Sequence, residues 1–101
     1  VGASLPFEYS STATFDRCLG WQGVCIEPNP HLVTFLETYR SCSVIPRCVD
    51  VQVVKGKPFY DRDGSLAFTA TCQPLGEILL RAGLLGRRID LLSIDVEPGE
   101  L

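Results

Sequence analysis

The chain has 101 residues and a formal net charge of −3, and 46% of its residues are hydrophobic. These values fit one globular domain, and they argue against a nucleic-acid partner and against a membrane span of about 20 apolar residues. The five cysteines and the single histidine do not have the spacing of a zinc site. We therefore expect no bound metal, and we expect reduced cysteine thiols in a cytoplasmic protein.

The first residues resemble the end of a strand that enters a glycine turn. Gly2 would let the backbone approach a ligand closely, because glycine has no side chain. The pattern GxGxxG of dinucleotide-binding proteins is absent. Ser10 or Ser11 can cap a helix that runs to about Leu19.

The stretch that follows is predicted to form a strand, a polar turn and a helix. Residues 24–26 are an apolar run typical of a buried parallel strand, and Glu27 ends that run with a charge. A carboxylate in this place can accept hydrogen bonds from the two vicinal hydroxyls of a ribose. A solvated loop glutamate after an ordinary strand is an equally compatible interpretation. Asn29 is a good N-cap for a helix over 30–40.

The rest of the chain continues to alternate between strand and helix patterns. In chain order we predict a strand over 43–49 followed by Asp50, a hairpin of 51–54 and 58–60 around a turn at 55–57, a further turn at 61–64, a short strand over 66–71, a helix from 74 to about 83, and a second buried strand over 89–94 that ends at Asp95.

This alternation predicts an α/β domain with a mostly parallel sheet and helices on both faces. The carboxyl ends of parallel strands share one edge of a sheet, so we expect Gly2, Glu27, Asp50 and Asp95 to line a single crevice. Other interpretations stay open for two of these residues. Asp50 is compatible with a simple turn residue, and Asp95 with a cap of the following turn.

Two motifs together resemble the FkbM-type methyltransferases. The first reads Leu19-Gly-Trp-Gln-Gly-Val-Cys-Ile-Glu-Pro-Asn-Pro30, and the second reads Ile89-Asp-Leu-Leu-Ser-Ile-Asp-Val-Glu97. The segment Thr71-Cys-Gln-Pro-Leu75 also fits that family. The resemblance implies a Rossmann-like class I S-adenosylmethionine-dependent methyltransferase sandwich over residues 1–101, truncated at both ends.

The resemblance also implies a role for each candidate residue. Gly2 would lie under the methionine part of S-adenosylmethionine, and Glu27 would hold the ribose hydroxyls, with Pro28 and Asn29 completing that turn. Asp50 would lie near the adenine. Asp95 would be the catalytic group at the methyl-transfer end, acting on a hydroxyl of a small molecule or sugar.

Two other functional interpretations remain open. A nicotinamide-dependent oxidoreductase domain would also place a glutamate such as Glu27 on a ribose, although the absence of GxGxxG argues against it. A non-catalytic or degenerate fragment is the other. The first glycine turn lacks the second glycine usual in the family, and Pro98 precedes Gly99 in the downstream motif.

Overall fold

The computed structural model describes residues 1–4, 6–7 and 10–96. Glu97, which ends the second motif, and Pro98 and Gly99 lie outside the described residues. The described part contains three helices and five strands. In chain order they are α1 (Ala13–Arg17), β1 (Val24–Ile26), α2 (Pro30–Tyr39), β2 (Ser43–Ile45), β3 (Cys48–Val49), β4 (Val54–Tyr60), β5 (Leu66–Gln73) and α3 (Leu75–Arg81).

The β1–α2–β2 unit, residues 24–45, contains a parallel pair of strands joined by a helix. Register runs from Val24 opposite Ser43 to Ile26 opposite Ile45. The helix begins where the sequence predicted it, because the Asn29 side chain accepts a hydrogen bond from the backbone N–H of His31 at 3.0 Å. The helix prediction is confirmed to within one residue at its C-terminal end.

The core of this unit is formed by Cys25, Leu36 and Cys42, which are all buried. Leu36 is fully inaccessible to solvent. Cys25 and Cys42 form a disulfide across this core, with their Cα atoms 5.8 Å apart. The unit therefore combines apolar packing with a covalent link between β1 and the residue before β2.

A second sheet has three strands in the order β3-β5-β4. Strand β3 is parallel to β5, whereas β4 and β5 form an antiparallel hairpin. The turn of the hairpin lies at 61–64, where the backbone N–H of Asp61 donates to the carbonyl of Ser65 at 2.8 Å. Cys48 and Cys72 are opposite each other in β3 and β5 and form the second disulfide.

The predicted Rossmann-like sandwich, with one mostly parallel sheet and helices on both faces, is wrong for the described residues. They form two short sheets, one of them a parallel pair and the other mixed. The strand predicted over 43–49 divides at Pro46 and Arg47 into β2 and β3, which belong to different sheets. Proline has no N–H to donate to a strand ladder, which favours this break.

The strand predicted over 89–94 is also wrong. This segment has no strand assignment, and its apolar side chains are about half exposed. Two backbone hydrogen bonds join it to Val1, one from the nitrogen of Val1 to the Ser93 carbonyl at 2.8 Å and one from Asp95 to the Val1 carbonyl at 3.1 Å. A single paired residue is too short to build a buried strand.

Two local predictions were wrong in their positions. The first helix covers only Ala13–Arg17 and does not reach Leu19. The hairpin does not turn at 55–57, because these residues lie inside the continuous strand β4. Gly56 has a φ of 68°. Val54 pairs with Cys72 and Lys57 pairs with Ala70, so β4 has one more residue than β5 between these two pairs. The glycine is therefore the site of a β-bulge instead of a turn.

The expectation of reduced thiols is wrong for four of the five cysteines, which form the two disulfides. Cys18 is an exposed free thiol. Disulfides are typical of oxidising compartments, so the cysteines do not support a cytoplasmic location, which stays a prediction. Among the described residues, no helix is long and apolar enough to cross a membrane.

Arg40, at the end of α2, connects the N-terminal segment to the β1–α2–β2 unit. Its buried guanidinium pairs with the carboxylate of Asp16 and donates to the Pro6 carbonyl at 3.1 Å and to the Thr12 hydroxyl at 3.0 Å. Burial disfavours the charged form of Asp16, but the hydrogen bonds from Arg40 and Ser41 outweigh it and hold the pKa of Asp16 below its ordinary value.

Candidate functional site

Backbone hydrogen bonds place three of the predicted site residues next to one another. Each bond joins one backbone segment to the next, so the segments lie side by side in the order Asp95, Gly2, Glu27 and then β2. The bonds run from Asp95 N–H to the Val1 carbonyl at 3.1 Å, from Gly2 N–H to the Ile26 carbonyl at 2.8 Å, and from Glu27 N–H to the Ile45 carbonyl at 3.1 Å.

A cavity of about 440 Å³ lies over these segments. Its volume is within the range of small-molecule sites. Five of the six residues predicted from the sequence line this cavity, namely Gly2, Glu27, Pro28, Asn29 and Asp95. The structure therefore brings together residues that come from both ends of the chain and from its first clear strand.

Glu27 is the buried acid of the cavity, with 5% of its surface exposed. Its Oε1 accepts from the backbone N–H of Ser4 at 2.7 Å, and its Oε2 accepts from the backbone N–H of Asn29 at 2.9 Å. These two donors fix the orientation of the carboxylate. A carboxylate has about four acceptor positions, so it can serve backbone donors and ligand hydroxyls together.

Gly2 is in the left-handed region, with a φ of 69°. A Cβ atom at this position would overlap the carbonyl oxygen of Asp95, so the position requires glycine on two grounds. The close approach that the sequence suggested is therefore made to the backbone of Asp95. Asp95 itself is an exposed residue that lines the cavity beside Gly2.

Asp50 is not among the described residues that line the cavity. Its carboxylate accepts from Lys57 Nζ at 3.1 Å and from the backbone N–H of Val51 at 2.6 Å. The hydrogen bond from Lys57 is the largest influence on it and holds the pKa of Asp50 below its ordinary value. Asp50 thus connects the end of β3 to β4, and its role in cofactor binding stays a prediction.

The charged side chains that line the described part of the cavity are mostly acidic. They are Glu27, Asp61 and Asp95, against Arg47 as a base. Such a lining favours a cationic or neutral ligand and disfavours one with several phosphate charges. The described residues also contain no cluster of His, Cys, Asp and Glu that could hold a metal ion.

Sequence reasoning missed the part of the site that the β4–β5 hairpin provides. Phe59, Tyr60 and Phe68 line the cavity together with Asp61. In the structure, half-buried and exposed residues alternate along parts of both strands, and Lys57, Phe59 and Phe68 are among the half-buried ones. A turn predicted at Gly56 concealed that alternation.

No protein-family model, curated protein or solved structure matches this chain. The resemblance to the FkbM-type methyltransferases therefore stays a prediction from the two motifs.

Proposed function

We propose that this protein binds S-adenosylmethionine in the cavity and transfers its methyl group to a hydroxyl of a small molecule or sugar. The observation that carries the proposal is the convergence of Gly2, Glu27 and Asp95 on one cavity. These are the residues to which the resemblance to the FkbM-type methyltransferases assigns the methionine, ribose and methyl-transfer parts of the site. The proposal rests on the site and not on the fold.

The charge of the cavity supports this ligand over a nicotinamide dinucleotide. S-adenosylmethionine carries a positive sulfonium and no phosphate, whereas NAD carries a pyrophosphate. The described lining side chains include three carboxylates and one guanidinium, a balance that favours the first ligand over the second. Glycine and amide groups arranged to hold a pyrophosphate would require the absent GxGxxG pattern.

Each residue would have a distinct task. Glu27 would accept hydrogen bonds from the ribose hydroxyls, and these bonds are strengthened by its charge. Gly2, whose lack of a side chain lets the backbone of Asp95 pass close to it, would lie beside the amino-acid part of the ligand. Asp95 would accept the proton of the acceptor hydroxyl, as a general base. S-adenosylmethionine supplies, when bound, a methyl group on a positively charged sulfur.

The test is a calorimetric titration of the chain with S-adenosylhomocysteine and its 2′-deoxy and 3′-deoxy analogues. Hydrogen bonds to a charged group contribute about 1.5–3 kcal/mol. Wild type should therefore bind each deoxy analogue about 10- to 150-fold more weakly than the parent compound. Analogues on the ligand side are needed because Glu27 also holds the backbone of Ser4 and Asn29.

Glu27→Gln should bind the parent compound more weakly and should reduce the penalty of the deoxy analogues, because the amide nitrogen cannot accept. Glu37→Gln is the matched control, since Glu37 is exposed on α2 and should change neither value. An unchanged penalty in Glu27→Gln would exclude the ribose role. If wild type binds S-adenosylhomocysteine no better than NAD, the methyltransferase proposal is wrong.

A further inference from the structure

The β4–β5 hairpin forms a wall of the cavity to which no role has yet been given. Resting on the proposed function, we propose that this wall receives the adenine base of the bound nucleoside, with Phe59 and Phe68 as the residues that contact the base.

The order of the backbone segments supports this placement. Glu27 lies between the Gly2 and Asp95 segments on one side and β2 on the other. Strand β2 continues through Pro46 and Arg47 into β3, which pairs with β5 of the hairpin. A nucleoside whose ribose lies on Glu27 and whose sulfur points to Asp95 therefore directs its base toward the hairpin.

The hairpin offers the right surface for a planar base. Phe59 and Phe68 are directly opposite each other in the antiparallel register, and their rings are stacked with centroids 4.7 Å apart and planes 10° apart. Both are half-buried and both line the cavity. Aromatic side chains bind bases of any sequence because every base has a π face.

Lys57, the charged residue near the two phenylalanine rings, forms an ion pair with Asp50. Lys57 lies two residues before Phe59 on β4, and its Nζ is 6.0 Å from the Phe59 ring centroid and 3.1 Å from Asp50 Oδ2. Asp50 would thus influence the adenine site through Lys57 as a positioning residue, and not through contact with the base.

An aromatic methyl acceptor is the competing occupant of the same wall. The methyl acceptor must reach the sulfur of the cofactor, which the proposed function places at Asp95. Backbone hydrogen bonds link Asp95 to Glu27 through Val1 and Gly2, whereas the hairpin is connected to Glu27 through β2 and β3. This order of segments favours the base as the part of the ligand that reaches Phe59 and Phe68.

The experiment measures two ligands against matched variants by calorimetry. S-adenosylhomocysteine contains the base, and S-ribosylhomocysteine lacks it. Phe59→Leu and Phe68→Leu should each weaken binding of the first ligand about 5- to 150-fold and leave the second unchanged, since stacking on a base contributes about 1–3 kcal/mol. Phe68→Tyr should retain the affinity. Phe35→Leu, on the exposed side of α2, is the control.

Adenine proton shifts in wild type provide a second readout that needs no variant. The H2 and H8 signals should move upfield on binding and show Overhauser contacts to phenylalanine ring protons. A wild type that binds neither ligand would overturn the proposed function as well. Binding of S-adenosylhomocysteine with no phenylalanine contacts, or with equal loss for both ligands in the leucine variants, would overturn the adenine site alone. Unchanged affinity for S-adenosylhomocysteine in both leucine variants would point to the acceptor as occupant.

Discussion

The β1–α2–β2 unit and residues 85–96 are both rich in apolar residues, yet only the first contains a cluster of buried ones. Cys25, Leu36 and Cys42 are between 0% and 8% exposed, whereas the large apolar side chains of the second region are between 44% and 53% exposed. Those residues are Leu85, Ile89, Leu91, Leu92 and Ile94. An apolar run thus indicates what can be buried, but neighbouring elements decide whether it is.

The two regions differ in how many neighbouring segments they contact. Strand β1 has Gly2 bonded on one side and β2 on the other, and the apolar face of α2 packs on it through Leu36. Residues 89–95 have two backbone hydrogen bonds to Val1, through the Ser93 carbonyl and the Asp95 N–H. The candidate site lies where the two regions meet, with Glu27 contributed by the packed region and Asp95 by the exposed one.

The largest effect is expected from breaking the buried ion pair that connects the N-terminal segment to the packed region. Arg40→Met should lower the free energy of unfolding by about 3–5 kcal/mol, because Asp16 would keep a buried charge without its partner. The matched control is Arg88→Met, which removes the exposed ion pair between Arg88 and Asp90 in the second region. Its cost should be below about 1 kcal/mol.

Urea unfolding followed by circular dichroism measures both values. Equal losses for the Arg40 and Arg88 variants would contradict the difference in burial between the two ion pairs.

Truncating one leucine in each region compares their packing directly. Leu36→Ala should cost about 2–5 kcal/mol, because the side chain is completely buried and its removal leaves a cavity. Leu92→Ala should change stability by about 0.5 kcal/mol or less, since Leu92 is 53% exposed. A loss in Leu92→Ala as large as that in Leu36→Ala would show that residues 85–96 are buried in solution.

Acid should produce the smallest of these effects, and the variant Asp16→Asn isolates the part of it that Asp16 contributes. Since its pKa is lower in the folded protein than in the unfolded chain, its contribution to stability is fully present above the unfolded value of about 3.9. The contribution is lost as the pH falls through the lower folded-state pKa. The stability difference between wild type and Asp16→Asn should therefore shrink between pH 5 and about pH 2, and a constant difference would exclude this linkage.

The sequence allowed the β1–α2–β2 unit to be predicted because its signals are local. Asn29 caps the helix, Pro30 begins it, and the strand before them is a short apolar run. The convergence of Gly2, Glu27 and Asp95 was also predicted, because each was expected to follow the carboxyl end of a strand, and their functional roles stay predictions. The structure places these three around one cavity.

The parts that sequence reasoning missed depend on contacts distant along the chain. Nothing local distinguishes residues 89–94 from a buried strand, since only the number of neighbours differs. The disulfide between Cys48 and Cys72 needs β3 beside β5, which no spacing of cysteines predicts. The aromatic wall required the correct assignment of Gly56, whose positive φ serves a bulge inside β4.

The bulge at Gly56 makes the direction of the later side chains of β4 depend on the number of residues before them. Side chains alternate between the two faces of a strand, so a change of one residue in length moves every later side chain to the opposite face. Deleting Gly56 would remove the extra residue between Val54 and Lys57 and thereby reverse the direction of Phe59 relative to the start of the strand. In natural or engineered variants, insertions and deletions before Phe59 should therefore be less acceptable than substitutions at the exposed Lys55.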